Sequence, residues 1–278
     1  MIVVTVAIAL QGQWRFEVVY PIGTRTPNAA ALLLWSYRMT DAIFDPISGL
    51  PIGPEVPAHA AGRPCRRVLV GRFVRLEPLD PDRHGPSLWQ QTHGPCDAAL
   101  WQYLFEAPFA DQHSFHEHLT RSAASGDPLF FAIVDKRSGH ALGYETLMRI
   151  EPAHRCLEVG NILYGRDLQR TPGGTEAQFL LMRHIFEDLG YRRYEWKCNV
   201  LNAPSRRAAL RFGFTFEGVF RQHMIVRGRS RDTAWYSMLE NQWPAAKAAF
   251  EQWLEPSNFD SNCVQRRSLT ALRGSQDA

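Results

Sequence analysis

The stretch Leu168-Gln169-Arg170-Thr171-Pro172-Gly173-Gly174-Thr175-Glu176-Ala177 lies between two contrasting patterns. An apolar run over residues 159–164 precedes it and predicts a buried strand. Apolar residues recur at spacings of three and four after it and predict an amphipathic helix. The chain therefore passes from a strand through a glycine-containing loop into a helix, and this unit decides the fold.

The loop is a candidate anion site. We place the helix start at Thr175, because Thr175 and Gln178 have the spacing of a capping box. Backbone amides of residues 173–176 would then point out of the helix end, where the helix dipole favours an anion. The two adjacent glycines allow close approach because they lack a Cβ, and Arg170 adds a positive charge. An ordinary strand–loop–helix turn is the alternative.

The spacing excludes two phosphate-binding motifs. No Gly-Lys-Ser/Thr follows, as a P-loop requires, and the third glycine of the dinucleotide fingerprint is missing. Arg170-x-x-Gly173-x-Thr175 instead resembles the Q/R-x-x-G-x-G/A loop of the GNAT acetyltransferases, although Thr175 stands where that family has Gly or Ala. In the family this loop holds the pyrophosphate of acetyl-CoA. The resemblance implies the following cofactor-binding residues: Gln169, Arg170, Thr171, Gly173, Gly174 and Thr175.

Composition narrows the class of protein. The chain has 278 residues and is 45% hydrophobic, which suits one globular domain with extensions or two small domains. A net charge of +3 without a long Lys/Arg block argues against a nucleic-acid binder. The five cysteines are widely spaced and form no CxxC pair, so we expect reduced thiols in a cytoplasmic protein and no metal site. The apolar residues 1–10 are too few to span a bilayer.

The sequence of residues 1–65 does not have the pattern of a folded domain. Proline and glycine accumulate over residues 46–57, which is typical of a linker. Met39 stands just before them, and we hypothesise that it is the natural start and that the first 38 residues are an over-extended reading frame. A membrane-surface or targeting segment is the alternative. We therefore predict an extension over residues 1–65, a GNAT domain over 66–243, and a C-terminal helix with a surface-laid or frayed tail over 244–278.

The predicted elements over about residues 70–243 follow the order β-α-α-β-β-β-α-β-α-β-β, which is the GNAT order. The resemblance implies an α/β fold with a central, splayed, mostly antiparallel sheet flanked by helices. Asn202-x-x-Ser205, then Phe212-Gly213-Phe214, then Glu217-Gly218 resemble the Rim-type subgroup. Those enzymes acetylate the N-terminal serine or alanine amine of ribosomal proteins.

The resemblance also implies roles for backbone and side-chain groups. Two strands, predicted over residues 159–164 and 193–200, should splay apart. Amides near Ile162, Leu163 and Tyr164 should contact the pantetheine arm. The family's tyrosine general acid is replaced by Ala209, so we expect Ser205 to protonate the leaving thiolate; the alternative is that Ser205 merely helps to start a helix. Asn202 would bind pantetheine or cap that helix.

The general base is less clearly marked. We take Glu158 as the candidate, with Glu145 as a second choice; the alternative is that both carboxylates are exposed at strand ends. The Rim-type carboxylate position holds Met224, beside His223. An α-amine titrates near ~8 and a lysine amine near ~10.4, so a larger fraction of an α-amine is neutral at pH 7. A site without a strong general base therefore favours α-amines.

Four aromatic residues are predicted to line an acceptor cleft or, alternatively, to fill the core: Trp101, Tyr103, Tyr144 and Tyr164.

These patterns predict an acetyl-CoA-dependent N-acetyltransferase that acts on a primary amine. The α-amine of a protein or peptide N-terminus is the first expected acceptor. Two alternatives remain open: a small-molecule or antibiotic acetyltransferase, and a non-catalytic acetyl-CoA-binding module. We expect no metal, nucleic acid or membrane as a partner, and a monomer or homodimer.

Overall fold

The computed structural model describes residues 5–10, 13–18, 43–261 and 264–274. The chain divides into two compact units, Met1–Ala58 and His59–Ala278. The described part of the first unit holds two antiparallel strand pairs: β1 (Thr5–Leu10) with β2 (Gln13–Val18), and β3 (Ile43–Phe44) with β4 (Pro51–Ile52). The sequence patterns did not predict these hairpins, and Met39 lies outside the described residues.

The second unit is built on one mixed sheet. Its strands are β5 (Leu69–Val70), β6 (Val74–Pro78), β7 (Leu129–Asp135), β8 (Ala141–Glu151), β9 (Cys156–Tyr164), β10 (Arg193–Asn199), β11 (Thr215–Val226) and β12 (Arg229–Leu239). They lie in the order β11-β12-β10-β9-β8-β7-β6-β5. Every pair of neighbours is antiparallel except β9 and β10, which confirms the predicted fold class.

Helices cover both faces of this sheet. They are α1 (Pro81–Thr92), α2 (Gln112–Ala124), α3 (Pro172–Arg183), α4 (Ala203–Phe212), α5 (Trp243–Leu254) and α6 (Leu269–Gly274). Buried side chains on one face pack with α3 and α5, while those on the other pack with α1 and α2. The predicted element order is therefore confirmed.

The C-terminal tail differs from the prediction. It was expected to lie on the surface or fray, but α6 inserts Leu269 and Leu272 into the core, where they are fully or almost fully buried. Arg273 Nη1 donates to the carbonyl of Leu210 at 2.7 Å, which ties α6 to α4. The polar composition of the tail hid a pair of leucines spaced by three residues, which is the spacing of one helix face.

Glu176 ties the start of α3 to the start of β6. Its Oε1 accepts the backbone N–H of Arg72 at 2.7 Å, and its Oε2 accepts those of Phe73 at 2.6 Å and Val74 at 2.9 Å. The carboxylate sits against Gly71, where a side-chain Cβ would clash with it. A single buried carboxylate therefore satisfies three backbone donors between two elements that are about a hundred residues apart.

Strands β9 and β10 pair over only part of their length. Their parallel register runs from Arg193 opposite Cys156 to Trp196 opposite Val159. Beyond this point both strands continue, to Tyr164 and to Asn199, without pairing with each other. The predicted splay is thus present, and it leaves unpaired backbone in the middle of the sheet.

Candidate active site

A cavity of about 930 Å³ lies where β9 and β10 part. It is lined by the unpaired part of both strands, the loop before α3, the first turns of α4, and residues 99–105. Eleven of the twelve predicted site residues line it: Glu158, Ile162, Leu163, Tyr164, Gln169, Arg170, Thr171, Gly174, Thr175, Asn202 and Ser205. The structure therefore brings into one cavity residues that lie up to 47 positions apart in the sequence.

Gly173 is the exception, and its place explains why glycine is needed there. A Cβ on Gly173 would lie 2.9 Å from a methyl carbon of Val74, on the side of the core. A Cβ on Gly174, which does line the cavity, would lie 2.9 Å from the carbonyl oxygen of Leu168. Gly173 therefore allows α3 to begin close to β6, and Gly174 allows it to begin close to its own loop. The two glycines are needed for packing as well as for the access of a ligand.

The helix start differs from the prediction. Helix α3 begins at Pro172 with Thr171 as its N-cap, and Thr171 Oγ1 accepts the N–H of Gly174 at 3.3 Å. The predicted capping box of Thr175 and Gln178 is wrong. Proline suits the first helical position because its missing N–H would be unpaired there anyway, so Pro172 was the better signal. The amides of residues 175 and 176 consequently belong to the helix ladder rather than to the free end.

Gln178 serves a buried polar cluster behind the loop. Its Nε2 and the hydroxyl of Tyr164 both donate to Oε2 of Glu145, the latter at 2.7 Å. Burial raises the pKa of Glu145 to about 7, against the opposing effect of these two hydrogen bonds. Glu145 is therefore not an exposed strand-end carboxylate, and it does not line the cavity.

Ser205 lies at the start of α4 within reach of β10. Asn202 is the N-cap of α4, and its Oδ1 accepts the N–H of Ser205 at 3.1 Å. Trp196 Nε1 donates to Ser205 Oγ at 2.9 Å. Burial raises the pKa of the Cys198 thiol, and a hydrogen bond from Ser205 opposes that shift. The hydroxyl is thus fixed in the cavity wall, while Ala209, at the position of the missing tyrosine, is fully buried.

Glu158 sits in an ion-pair network that sequence reasoning missed. Its Oε2 contacts Arg149 Nη1 at 2.6 Å and Lys197 Nζ at 2.9 Å. Lys197 also contacts Glu195 at 2.6 Å and lies 3.9 Å from the centroid of the Trp235 ring. Glu158 is buried and therefore not exposed at a strand end. The alternation along β10, with Lys197 between two buried residues, was the available signal for this network.

The aromatic residues predicted for the acceptor cleft divide into two groups. Tyr103 and Tyr164 line the cavity, whereas Trp101 and Tyr144 are buried in the core beneath α1 and α2. The hydroxyl of Tyr103 donates to the carbonyl of Leu201 at 3.1 Å, which joins residues 99–105 to the start of α4. These residues therefore close one side of the cavity.

Basic residues lie where the cavity is formed by the loop before α3 and by α4. Arg170 and Arg207 line it, whereas Arg206 instead donates to the hydroxyl of Tyr236 and to a backbone carbonyl. Arg211 donates to Thr175 Oγ1 at 3.1 Å and lies 5.1 Å from the centroid of the Trp253 ring. Helix α5 and the segment after it therefore contribute to the wall, which the sequence patterns did not predict.

The comparisons with known proteins agree with this geometry. Residues 74–215, about half of the chain, match the family model described as "Acetyltransferase (GNAT) domain". The chain belongs to the GNAT acetyltransferase family. This confirms the family predicted from the loop before α3, and a GNAT domain implies acetyl-CoA as cosubstrate.

Solved GNAT structures resemble the second unit closely. A GCN5-related N-acetyltransferase from Brucella melitensis is 49% identical, with a TM-score of 0.77, over 78% of this chain and 98% of its own. A probable GNAT-family acetyltransferase from Chromobacterium violaceum is 39% identical, with a TM-score of 0.64, over 70% of this chain and 99% of its own. The sheet and its flanking helices are thus those of the GNAT fold.

A curated relative agrees with the Rim-type subgroup. The ribosomal-protein-serine acetyltransferase of Escherichia coli is 31% identical over 100 residues, which are 35% of this chain. The chain spans 59% and 54% of the length of the two curated relatives that it matches. Within the described ranges, no cluster of three metal-ligating side chains and no helix of membrane-spanning length and apolarity is found.

Proposed function

We propose that this GNAT protein transfers an acetyl group from acetyl-CoA to a primary amine, with the α-amine of a protein or peptide N-terminus as the acceptor. The splay between β9 and β10 is the observation that carries the proposal. It opens a cavity with two different ends. One end is formed by the N-terminus of α3 and nearby basic residues, and the other by Glu158 with its ion-pair partners Arg149 and Lys197. A donor and an acceptor that enter from these two ends would meet at the unpaired backbone of β9.

The residues present fit acetyl-CoA. The N-terminus of α3, with Arg170 and Arg207 nearby, offers backbone donors and positive charge for phosphates. The unpaired part of β9, at Ile162 and Tyr164, offers backbone groups for an amide-containing arm. When bound, acetyl-CoA supplies an activated thioester carbonyl. Amides fixed in a strand would polarise such a carbonyl without reorganisation, which is the usual source of oxyanion stabilisation.

Ser205 is our candidate for the proton donor to the leaving thiolate. Its oxygen accepts the N–H of Trp196, and its own O–H, which points to the Cys198 sulfur, is the proton that it would transfer to the thiolate. The same N–H stabilises the oxygen as negative charge develops on it. Asn202 fixes the backbone of Ser205 through the N-cap and so sets the position of the hydroxyl.

Glu158 is our candidate for the proton acceptor on the amine side. Two cations hold its Oε2, whereas its Oε1 has no hydrogen-bond partner among the described residues. Oε1 is the atom that we expect to take a proton from the amine, directly or through water. Arg149 and Lys197 beside it disfavour a charged ammonium, which helps to keep the acceptor amine neutral.

Two considerations support an α-amine as the acceptor. At pH 7 about a tenth of an α-amine with a pKa near ~8 is neutral, against less than about one part in a thousand of a lysine amine. The Escherichia coli relative is named as a ribosomal-protein-serine acetyltransferase. A small-molecule amine remains the second candidate, because the cavity at the acceptor end is lined by apolar as well as charged side chains.

Titration of acetyl-CoA into the purified full-length protein tests the cofactor assignment. We expect saturable binding by calorimetry, and about tenfold weaker binding in Arg170→Glu. The glutamate would repel the pyrophosphate, and solvent and salt would screen this repulsion because the loop is exposed. Arg137→Glu, in the turn between β7 and β8, is the matched control and should bind like the wild type. Absence of binding by the wild type would contradict the proposal.

Ser205→Ala tests the proton donor. We expect kcat to fall about 100-fold with acetyl-CoA affinity almost unchanged, because general acid catalysis typically contributes at least that much. Steady-state kinetics with a Ser-initiated peptide and calorimetry with acetyl-CoA measure the two quantities. Ser257→Ala, at an exposed position outside the cavity, is the control. Unchanged kcat in Ser205→Ala would remove Ser205 from the mechanism, and a wild type that binds but never turns over would be a binding module.

A further inference from the structure

Arg231 on β12 is a buried cation at the acceptor end of the cavity. Its side chain lies on the same face of the sheet as Thr233 and Trp235, because residues alternate along a strand. In the register of β12 with β10, Trp235 lies opposite Lys197 and Thr233 lies opposite Asn199. Lys197, Thr233 and Arg231 therefore form a row of polar side chains across β10 and β12. The backbone of Arg231 lies about 7 Å from that of Thr233 along β12.

The guanidinium of Arg231 has no acidic partner among the described residues. Its Nε donates to Thr233 Oγ1 at 3.2 Å, and its carbon lies 5.6 Å from the centroid of the Phe105 ring. No carboxylate of the described ranges is within ion-pair distance of it, although the residue is only 8% exposed and lines the cavity. Its remaining N–H donors therefore face the cavity without a protein partner.

An unpaired buried guanidinium is costly for a folded protein. Burial of a charge is unfavourable unless the charge is paired and hydrogen-bonded. Burial accordingly lowers the pKa of Arg231; the nearby Cys198 and Glu158 oppose this shift, and Arg149 adds to it. A site that keeps such a group is suited to an anion that arrives with the ligand, because the ligand then supplies the missing partner.

The charges around the acceptor end leave one positive charge without a partner. Arg149, Lys197 and Arg231 are the cations, and Glu158 and Glu195 are the carboxylates that pair with the first two. Glu195 is shared with Arg193, whose charge is balanced in turn by Glu217. This excess of one positive charge would be balanced by a ligand that carries a single negative charge. The planar guanidinium fork suits a carboxylate, which it can bind through two parallel hydrogen bonds.

We propose that the acceptor carries a carboxylate close to its reactive amine and that Arg231 binds it and so determines acceptor specificity. This inference rests on the proposed acetyl transfer to an amine. The carboxylate has two possible sources. It is either the side chain of Asp or Glu near the N-terminus of a polypeptide, or the α-carboxylate of a free amino acid.

Kinetics with matched acceptors test the inference. The full-length protein is assayed with acetyl-CoA and two peptide amides, Ser-Glu-Ala-Ala and Ser-Gln-Ala-Ala, and with free serine and serinamide. We expect kcat/KM to be about tenfold higher for the carboxylate-bearing member of one pair, since a charge-assisted pair contributes about that much. The pair that shows the preference identifies the source of the carboxylate.

Variants assign the preference to Arg231. Arg231→Gln should abolish it through a higher KM for the carboxylate-bearing acceptor, with little change for the neutral one. Arg231→Lys should restore part of it, because an ammonium keeps the charge but not the fork. Arg229→Gln, an exposed arginine two residues away on β12, should behave like the wild type. Equal kcat/KM within both pairs, or a preference that survives in Arg231→Gln, would overturn the inference.

A binding measurement separates this inference from the proposed function. Calorimetry with the N-acetylated products, N-acetyl-Ser-Glu-Ala-Ala and N-acetyl-Ser-Gln-Ala-Ala amides, needs no turnover. N-acetyl-serine and N-acetyl-serinamide form the second pair. Tighter binding of one carboxylate-bearing product, lost in Arg231→Gln, would support the anion site even if no amine were acetylated. Turnover of amines with equal binding within each pair would leave the acetyl transfer intact and refute the role of Arg231.

Discussion

Glu176→Ala should lower the free energy of unfolding by about 4 kcal/mol. The substitution removes the carboxylate that accepts the N–H groups of Arg72, Phe73 and Val74. Each donor left without a partner in a buried place costs about 1–3 kcal/mol, and three are affected. Since the contact joins α3 to β6, the start of α3 should loosen as well. Urea unfolding of the full-length protein measures the change.

Glu117→Ala provides the control for Glu176→Ala. Glu117 is an exposed glutamate of α2 whose partners, His113 and Arg121, are exposed too. Exposed pairs of this kind contribute at most about 1 kcal/mol. A loss below about 1 kcal/mol in Glu176→Ala would show that water replaces the carboxylate at these amides.

Glu145→Gln should gain stability relative to the wild type as the pH rises. Burial raises the pKa of Glu145 from its ordinary 4.5 to about 7 in the folded protein. Between these values the unfolded chain has lost the proton that the folded chain still binds, so the wild type is progressively destabilised as the pH rises. The cost is complete above about pH 7 and amounts to roughly 3 kcal/mol. Glutamine cannot ionise, so the Glu145→Gln protein does not have this free-energy cost.

Urea unfolding of both proteins at pH 4.5 and pH 8 measures this difference. We expect the stability of Glu145→Gln minus that of the wild type to be roughly 3 kcal/mol more favourable at pH 8 than at pH 4.5. Glu117→Gln, at an exposed position, should show no comparable trend. A difference that does not change with pH would mean that Glu145 is ionised in the folded protein throughout this range.

The sequence patterns predicted the fold and the loop residues before α3 that line the cavity, because these features are local. The strand predicted over residues 159–164 is the second part of β9, Cys156–Tyr164, and the predicted C-terminal helix is α5, Trp243–Leu254. The loop residues of α3 are contiguous, so one motif marks most of them. The N-cap was predicted four residues too late, at Thr175 instead of Thr171, because both threonines suit an N-cap; Pro172 at the first helical position distinguishes them.

The acceptor end was not predicted because its groups come from separate strands. Arg149, Lys197 and Arg231 lie on β8, β10 and β12, and only the sheet order brings them near one cavity. Each looks like an ordinary surface charge within its own strand. Glu145 was correctly placed on β8, but its burial depends on Tyr164 and Gln178, which no pattern in the sequence connects to it.

The cavity wall extends past the boundary of the family match. That match ends at residue 215, whereas Arg231, Trp253 and Gln265 also line the cavity. A fragment excised at the family boundary would therefore lack part of the cavity wall and would lose strands β11 and β12 from the sheet. Expression of a minimal domain, or a fusion that replaces the C-terminal segment, has to retain the chain through α6 to keep the pocket whole.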